Sequence, residues 1–143
     1  MKKILFVLCL VLVLIASVFY SQSGKATDVQ VNLGESVKFS NEELTNAAIA
    51  VKKEVRNFKG VELKELWFTE EESDRVVKDY MKYGHGSSNG IKKENVIVLA
   101  SNLKTDAKGG DSGFEPDFLY TDWNWILIRD DRSGKWRVDD WGN

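Results

Sequence analysis

The chain starts with a short positive segment, Met1-Lys2-Lys3, and then runs apolar from Ile4 to Tyr20 without a charge. Small polar residues follow at Ser21, Gln22, Ser23 and Gly24. That order is the layout of a bacterial export signal or a short membrane anchor, and it predicts a domain working outside the cytoplasm, secreted or anchored by residues 4–20. The run of 17 residues is at the short limit for spanning a bilayer and slightly long for a signal core. Small residues place candidate cleavage after Ser23 or after Ala26. If the leader is retained, Lys2 and Lys3 keep the N-terminus inside and the domain outside. The division read from the chain is a leader over 1–23, a linker or arm over 24–38 and one domain over 39–143.

Beyond the leader the periodicity alternates between helix and strand. Val29, Val31 and Leu33 alternate, which permits a brief edge strand, although a polar tether is the plainer expectation for 24–38. Ser40 and Glu43 have capping-box spacing, with Phe39 and Leu44 at the staple positions beside the cap. Leu44, Ala47, Ala48, Val51, Val55 and Phe58 then mark one face of a helix of about five turns, closed by Gly60. Val61 to Phe68 reads as a strand whose broken alternation at Leu66-Trp67-Phe68 asks for a bulge or two-sided burial. Thr69 and Glu72 offer a second cap, followed by a helix carrying Val76, Val77, Tyr80 and Met81. After a Gly-rich loop (84–90) come strands over 94–103 and 118–129, separated by a long polar loop. A turn at Asp131–Gly134, with Gly134 placed for positive φ, leads to a closing strand over 135–141. Helices gathered on one side of a mostly antiparallel sheet of about four strands make an α+β domain.

Composition narrows the function. The only cysteine, Cys9, lies in mid-leader, where it is misplaced for lipidation, and the remaining chain has no disulfide framework, thiol nucleophile or Cys-based zinc site. Twenty basic and 22 acidic residues give a net charge of −2. Without the two leader lysines the balance becomes 18 against 22, or −4. With no basic block, the chain is read as binding no nucleic acid.

The order helix, strand, helix and three strands, with a last hairpin W-x-W-I-L-I-R-D-x-x-x-G-K-W-R-V-D-D-W-G (Trp123 to Gly142), resembles the NTF2-like (cystatin-like) fold. The closing Gly134-Lys135-Trp136-Arg137-Val138 with Trp141-Gly142 is similar to the end of many such domains. The overall layout resembles small exported NTF2-like proteins of Gram-positive bacteria without an assigned activity. The resemblance implies a curved sheet wrapping two helices into a cone, often with a pocket and often dimeric through the outer sheet face. It settles no function, since such a fold hosts enzymes, binding modules and assembly components. On the strand over 118–129, Trp123, Trp125 and Leu127 point one way and Ile126 and Ile128 the other. Both faces being apolar, a dimer partner, a ligand or the N-terminal arm is expected to cover the second.

His85 is the only histidine. Some enzymes of this fold use a His–Asp pair in the cone, so the candidate catalytic residues are His85 with Asp139 or Asp122. The plain alternative is a solvated histidine between glycines, a poor platform for fixed geometry. The loop acids Asp106, Asp111, Glu115 and Asp117 lack EF-hand spacing and read as solvated charge, so no metal and no cofactor is expected. Asp130-Asp131 and Asp139-Asp140 offer partners for Arg129 or Arg137 across strands. Trp67, Trp123 and Trp125, with Tyr80 and Tyr83 beside the glycine-rich loop, are the candidate ligand-binding residues, weighed against plain core packing. The leading expectation is a non-enzymatic extracytoplasmic module for a small ligand or protein partner, attached to the membrane only through the leader. The alternatives are a small-molecule lyase, isomerase or hydrolase using a cone pocket, and a membrane-anchored component of an envelope secretion or conjugation assembly.

Overall fold

The computed structural model describes residues 1–110 and 113–143, the side chains of 19–22 excepted. Helix α1 (Lys2–Gln22) is capped by Ser23 in extended conformation. All its described side chains are exposed. Among the described residues no helix is long and apolar enough to cross a membrane.

The remaining elements are β1 (Gln30–Asn32), α2 (Asn41–Val55), β2 (Val61–Trp67), α3 (Glu70–Tyr83), β3 (Val96–Thr105), β4 (Leu119–Ile128) and β5 (Arg137–Gly142). They form an α+β domain with one five-stranded sheet in the order β1-β2-β3-β4-β5. The expected count of about four strands is corrected to five by the arm. β1 pairs parallel with β2, Gln30 opposite Glu65 and Asn32 opposite Trp67, while the other ladders are antiparallel. The arm is docked from its first residue. Gly24 donates its N–H to the Arg56 carbonyl at 3.1 Å, and Lys25 exchanges backbone hydrogen bonds with Val61 and Leu63 at 2.9 and 2.8 Å. No flexible tether separates α1 from the domain. The polar composition of 24–33 hid this because an exposed edge strand needs few apolar side chains once its backbone is paired.

Helix α2 begins as its cap requires: Ser40 Oγ accepts the Glu43 N–H and Glu43 returns a bond to the Ser40 N–H. It ends at Val55, earlier than the periodicity suggests, and Gly60 at φ +73° then turns the chain into β2. Helix α3 starts after Thr69 without the expected side-chain cap; Glu72 instead accepts from Trp67 Nε1 at 3.4 Å. Gly134 does not adopt positive φ. Its turn is held by Asp131, whose carboxylate accepts the Ser133 N–H and Oγ–H at 2.8 and 2.6 Å.

The helices lie on opposite faces of the sheet, which corrects the expectation of helices on one side. Leu44, Ala47, Ala48, Val51 and Val55 of α2 pack on Leu63, Leu66, Ile97, Leu99, Leu103, Trp125 and Leu127. The alternate residues Val96, Val98, Ile126 and Ile128 meet Val77 and Tyr80 of α3. The second apolar face is therefore covered from within the chain. Of the two explanations for the apolar run Leu66-Trp67-Phe68, burial on both sides holds there: Leu66 and Phe68 join the α2-side core while Trp67 faces α3. A bulge does occur, but upstream between Leu63 and Glu65, where it lets Leu63 and Leu66 both face α2. Trp125 is fully buried, and its Nε1 donates to Ser101 Oγ at 2.8 Å.

Replacing that indole tests the core directly. Trp125→Ala is expected to lower the unfolding free energy by about 4 kcal/mol. Trp125→Phe, which keeps most of the packing but leaves Ser101 Oγ without its donor, is expected to cost about 1–3 kcal/mol. Urea unfolding followed by circular dichroism measures both.

Candidate functional site

The capping box of α2 uses one oxygen of Glu43 and leaves the other free to act elsewhere. Glu43 Oε1 accepts from Arg129 Nη1 at 2.6 Å. Arg129 lies just past the end of β4, where the alternation that turns Trp125 and Leu127 inward also turns its side chain toward α2. Its side chain is 4% exposed. Arg129 Nε donates to Asn95 Oδ1 at 3.3 Å, and its guanidinium carbon sits 4.4 Å from the centroid of Trp136. A buried cation is thus met by one carboxylate, one amide and one aromatic face. Burial works to raise the pKa of Glu43, but the bonds from the Ser40 backbone, Arg129 and the Ser40 side chain prevail and hold its carboxyl below the ordinary value.

This contact divides two grooves. One, of about 600 Å³, lies between α2 and the β4–β5 turn, lined by Ser40, Glu42, Asn46, Ile49, Ala50, Lys53, Arg132, Ser133, Lys135 and Trp136 among others. The second, of about 550 Å³, lies toward α3 and includes Lys38, Ser73, Asp74, Lys93 and Glu94. Glu43, Arg129 and Arg132 line both. In the first groove four cations face two carboxylates, and Glu43 is already committed to Arg129. Lys53, Arg132 and Lys135 make no ion pair with a carboxylate among the described residues.

Sequence reasoning pointed elsewhere, and the structure brings only part of that set together. His85 Nδ1 lies 3.1 Å from Asp139 Oδ2, and the same oxygen accepts the Tyr80 hydroxyl at 2.7 Å. Asn89 Nδ2 donates to the Tyr80 oxygen at 3.0 Å. Burial first, then the hydrogen bond to Asp139, pushes the Tyr80 phenol well above its ordinary pKa, so it stays a donor. The carboxylate could hold the imidazole in one tautomer. However, the His85 side chain is 65% exposed, and neither His85 nor Asp139 lines either large groove.

Asp122 stands apart, at φ +56° in the β3–β4 bulge with its N–H bonded to Asn102. Trp125 is core. Trp123 packs against Phe114 and Tyr120 at centroid distances of 5.3 and 5.5 Å. Trp67 is half-buried on the α3 face, and Tyr83 is exposed beneath Lys82. None of the five candidate aromatics lines either large groove. Of the loop acids, Asp111 lies outside the described residues, as does the side chain of Ser21. Among the described residues no three His, Cys, Asp or Glu side chains gather as metal ligands.

Glu43, Arg129 and Trp136 were legible only in part. Glu43 reads from sequence as a cap alone, and Arg129 as one of two candidate surface partners, with Arg137, of the neighbouring aspartates. Of these the Arg137 pair forms, with Asp130 at 2.9 Å. The available signal was the alternation of β4, which places residue 129 on the α2 side and so requires an acid from α2.

The fold and the groove define a small α+β domain with a helix on each face of a mixed sheet and a cationic cleft beside the longer domain helix. The chain belongs to the family described as Domain of unknown function (DUF4829), whose model matches residues 38–142. No curated protein and no solved structure matches the chain.

Glu43→Gln tests the pair. The folded-state pKa of Glu43 is depressed, so its contribution is present above the unfolded-state value and is lost as pH falls through the folded value. The variant is expected to be about 3 kcal/mol less stable than the parent at pH 7, because Arg129 is left buried beside a neutral amide. That difference should shrink steadily below about pH 4. Denaturant unfolding across pH 3–7 measures it; a gap independent of pH would show that the charge is not what matters.

Proposed function

We propose that the protein is a non-enzymatic binding module working outside the cytoplasm, and that it takes a small anionic ligand in the groove between α2 and the β4–β5 turn. The observation that carries this reading is the convergence of Lys53, Arg132 and Lys135, without ion-pair partners among the described residues, over a floor that includes Trp136. In a chain of net charge −2, that is a local excess of positive charge. A carboxylate or phosphate would meet the cations, while Ile49, Ala50 and the Trp136 ring offer apolar contact to the body that carries it. The volume of about 600 Å³ suits a small molecule. Work outside the cytoplasm is supported by the charge-free apolar run of the leader, whose described side chains are all exposed and would need a membrane or removal.

The architecture is read further as NTF2-like. Its support is the helix–strand–helix order, the tryptophan-rich last hairpin and bulges in three ladders that bend the sheet. The position of α3 on the far face is this chain's departure from a cone holding both helices.

Octanoate and octan-1-ol separate charge recognition from plain apolar binding. Saturable octanoate binding, followed by tryptophan fluorescence, is expected to weaken about 10-fold in the Lys53→Gln/Lys135→Gln variant and to weaken with added salt. Octanol binding as tightly as octanoate, or an unaffected double variant, would overturn the assignment.

A further inference from the structure

We infer that the exported chain is cut between Ser23 and Gly24, and that the α-amine released there seats against the C-terminal end of α2. The inference rests on the export reading proposed above and concerns which of the two candidate bonds is used.

Gly24 is buried, although only Ser23 separates it from α1. A Cβ at this position would lie 1.9 Å from the Val55 carbonyl oxygen and 2.7 Å from that of Phe58. The Gly24 nitrogen is 3.1 Å from the Arg56 carbonyl oxygen. Only glycine fits so near these carbonyls, which close the end of α2. A helix C-terminus presents carbonyls without intrahelical donors and the negative end of the helix dipole, so a positive group is favoured there. A Gly24 ammonium keeps the existing bond to Arg56 and adds two N–H donors and a charge. Each carbonyl has a second lone pair to receive them.

The alternative bond, after Ala26, fits the fold badly. Cutting there deletes Gly24 and Lys25, and with them the bonds from Gly24 to Arg56, from Lys25 to Val61 and from Leu63 to Lys25. It also removes Ala26, which packs against the main core. A cut after Ser23 keeps all of these. The small residues Ser21 and Ser23 stand at the third and first positions before that bond, the pattern that a membrane signal-processing peptidase accepts. The step is amide hydrolysis. Water adds its oxygen to the Ser23 carbonyl carbon, the C–N bond breaks, and the products are a Ser23 carboxylate and a Gly24 ammonium. The seat does not direct the peptidase; it accommodates the product.

The full chain, expressed with its leader in an exporting bacterium, tests this by fractionation and intact mass. An exported product beginning at Gly24 is expected. An exported product beginning at Thr27, or one that keeps its leader, overturns the processing site while leaving the export reading standing. Retention of the whole chain in the cytoplasm overturns both. In the exported product, acylation of the α-amine by an N-hydroxysuccinimide ester is expected to be at least about 10-fold slower in the folded state than in urea, as the seat requires. Equal rates in the two states would remove the seat.

Discussion

Burial of β3 and β4 on both faces is the constraint from which the rest of the architecture follows. A domain without cysteine has only packing to hold it, and these two strands present Ile97, Leu99, Trp125 and Leu127 on one side and Val96, Val98, Ile126 and Ile128 on the other. Two apolar faces need two covers. α2 supplies one with a stripe of small and branched residues that brings it close to the sheet. α3 supplies the other with Val77 and the ring of Tyr80, whose hydroxyl then needs the polar partner it finds in Asp139. The Tyr80–Asp139–His85 cluster is thus a by-product of covering the second face: it is the rim at which a buried tyrosine reaches water.

The same logic explains the ion pair on the α2 side. Extending β4 inward by one more alternate position puts Arg129 under α2, where an unpaired guanidinium would be costly. Glu43 resolves the conflict with a carboxylate that already caps the helix. One side chain therefore fixes where α2 starts and how that start sits on the sheet. Glu43, which also lines the nearby groove, is thereby engaged with Arg129 and not with the groove's other cations.

Much of the fold was legible from local signals. The capping box at Ser40, the stripe on α2, the two-sided apolar end of β2 and the divergent directions of Trp125 and Ile126 each correspond to an observed feature. Where the reading stopped short, the missing information was long-range. The pairing of 30–32 with 65–67 leaves no trace in the composition of a polar arm. The identity of the cover over the second face depends on where the short connection after Trp67 sends α3. Conspicuous residue types drew attention to the lone histidine and the tryptophans. The groove is instead built from lysines and arginines scattered between positions 53 and 135, which only the tertiary structure brings to one place.

The docked arm has a consequence for the order of events in the export proposed above. A chain delivered N-terminus first brings Gly24–Asn32 across before anything they can pair with. The partners of β1 lie 35 positions further on, Gln30 opposite Glu65. At ordinary rates of synthesis that interval lasts roughly 2–7 s. During it the segment that will become β1 is an open chain, and only afterwards does it become the edge strand of the sheet. On the export reading proposed above, the parallel strand would act as a delay: the bond after Ser23 stays open to the peptidase until β2 arrives, and the arm docks only when the domain is complete.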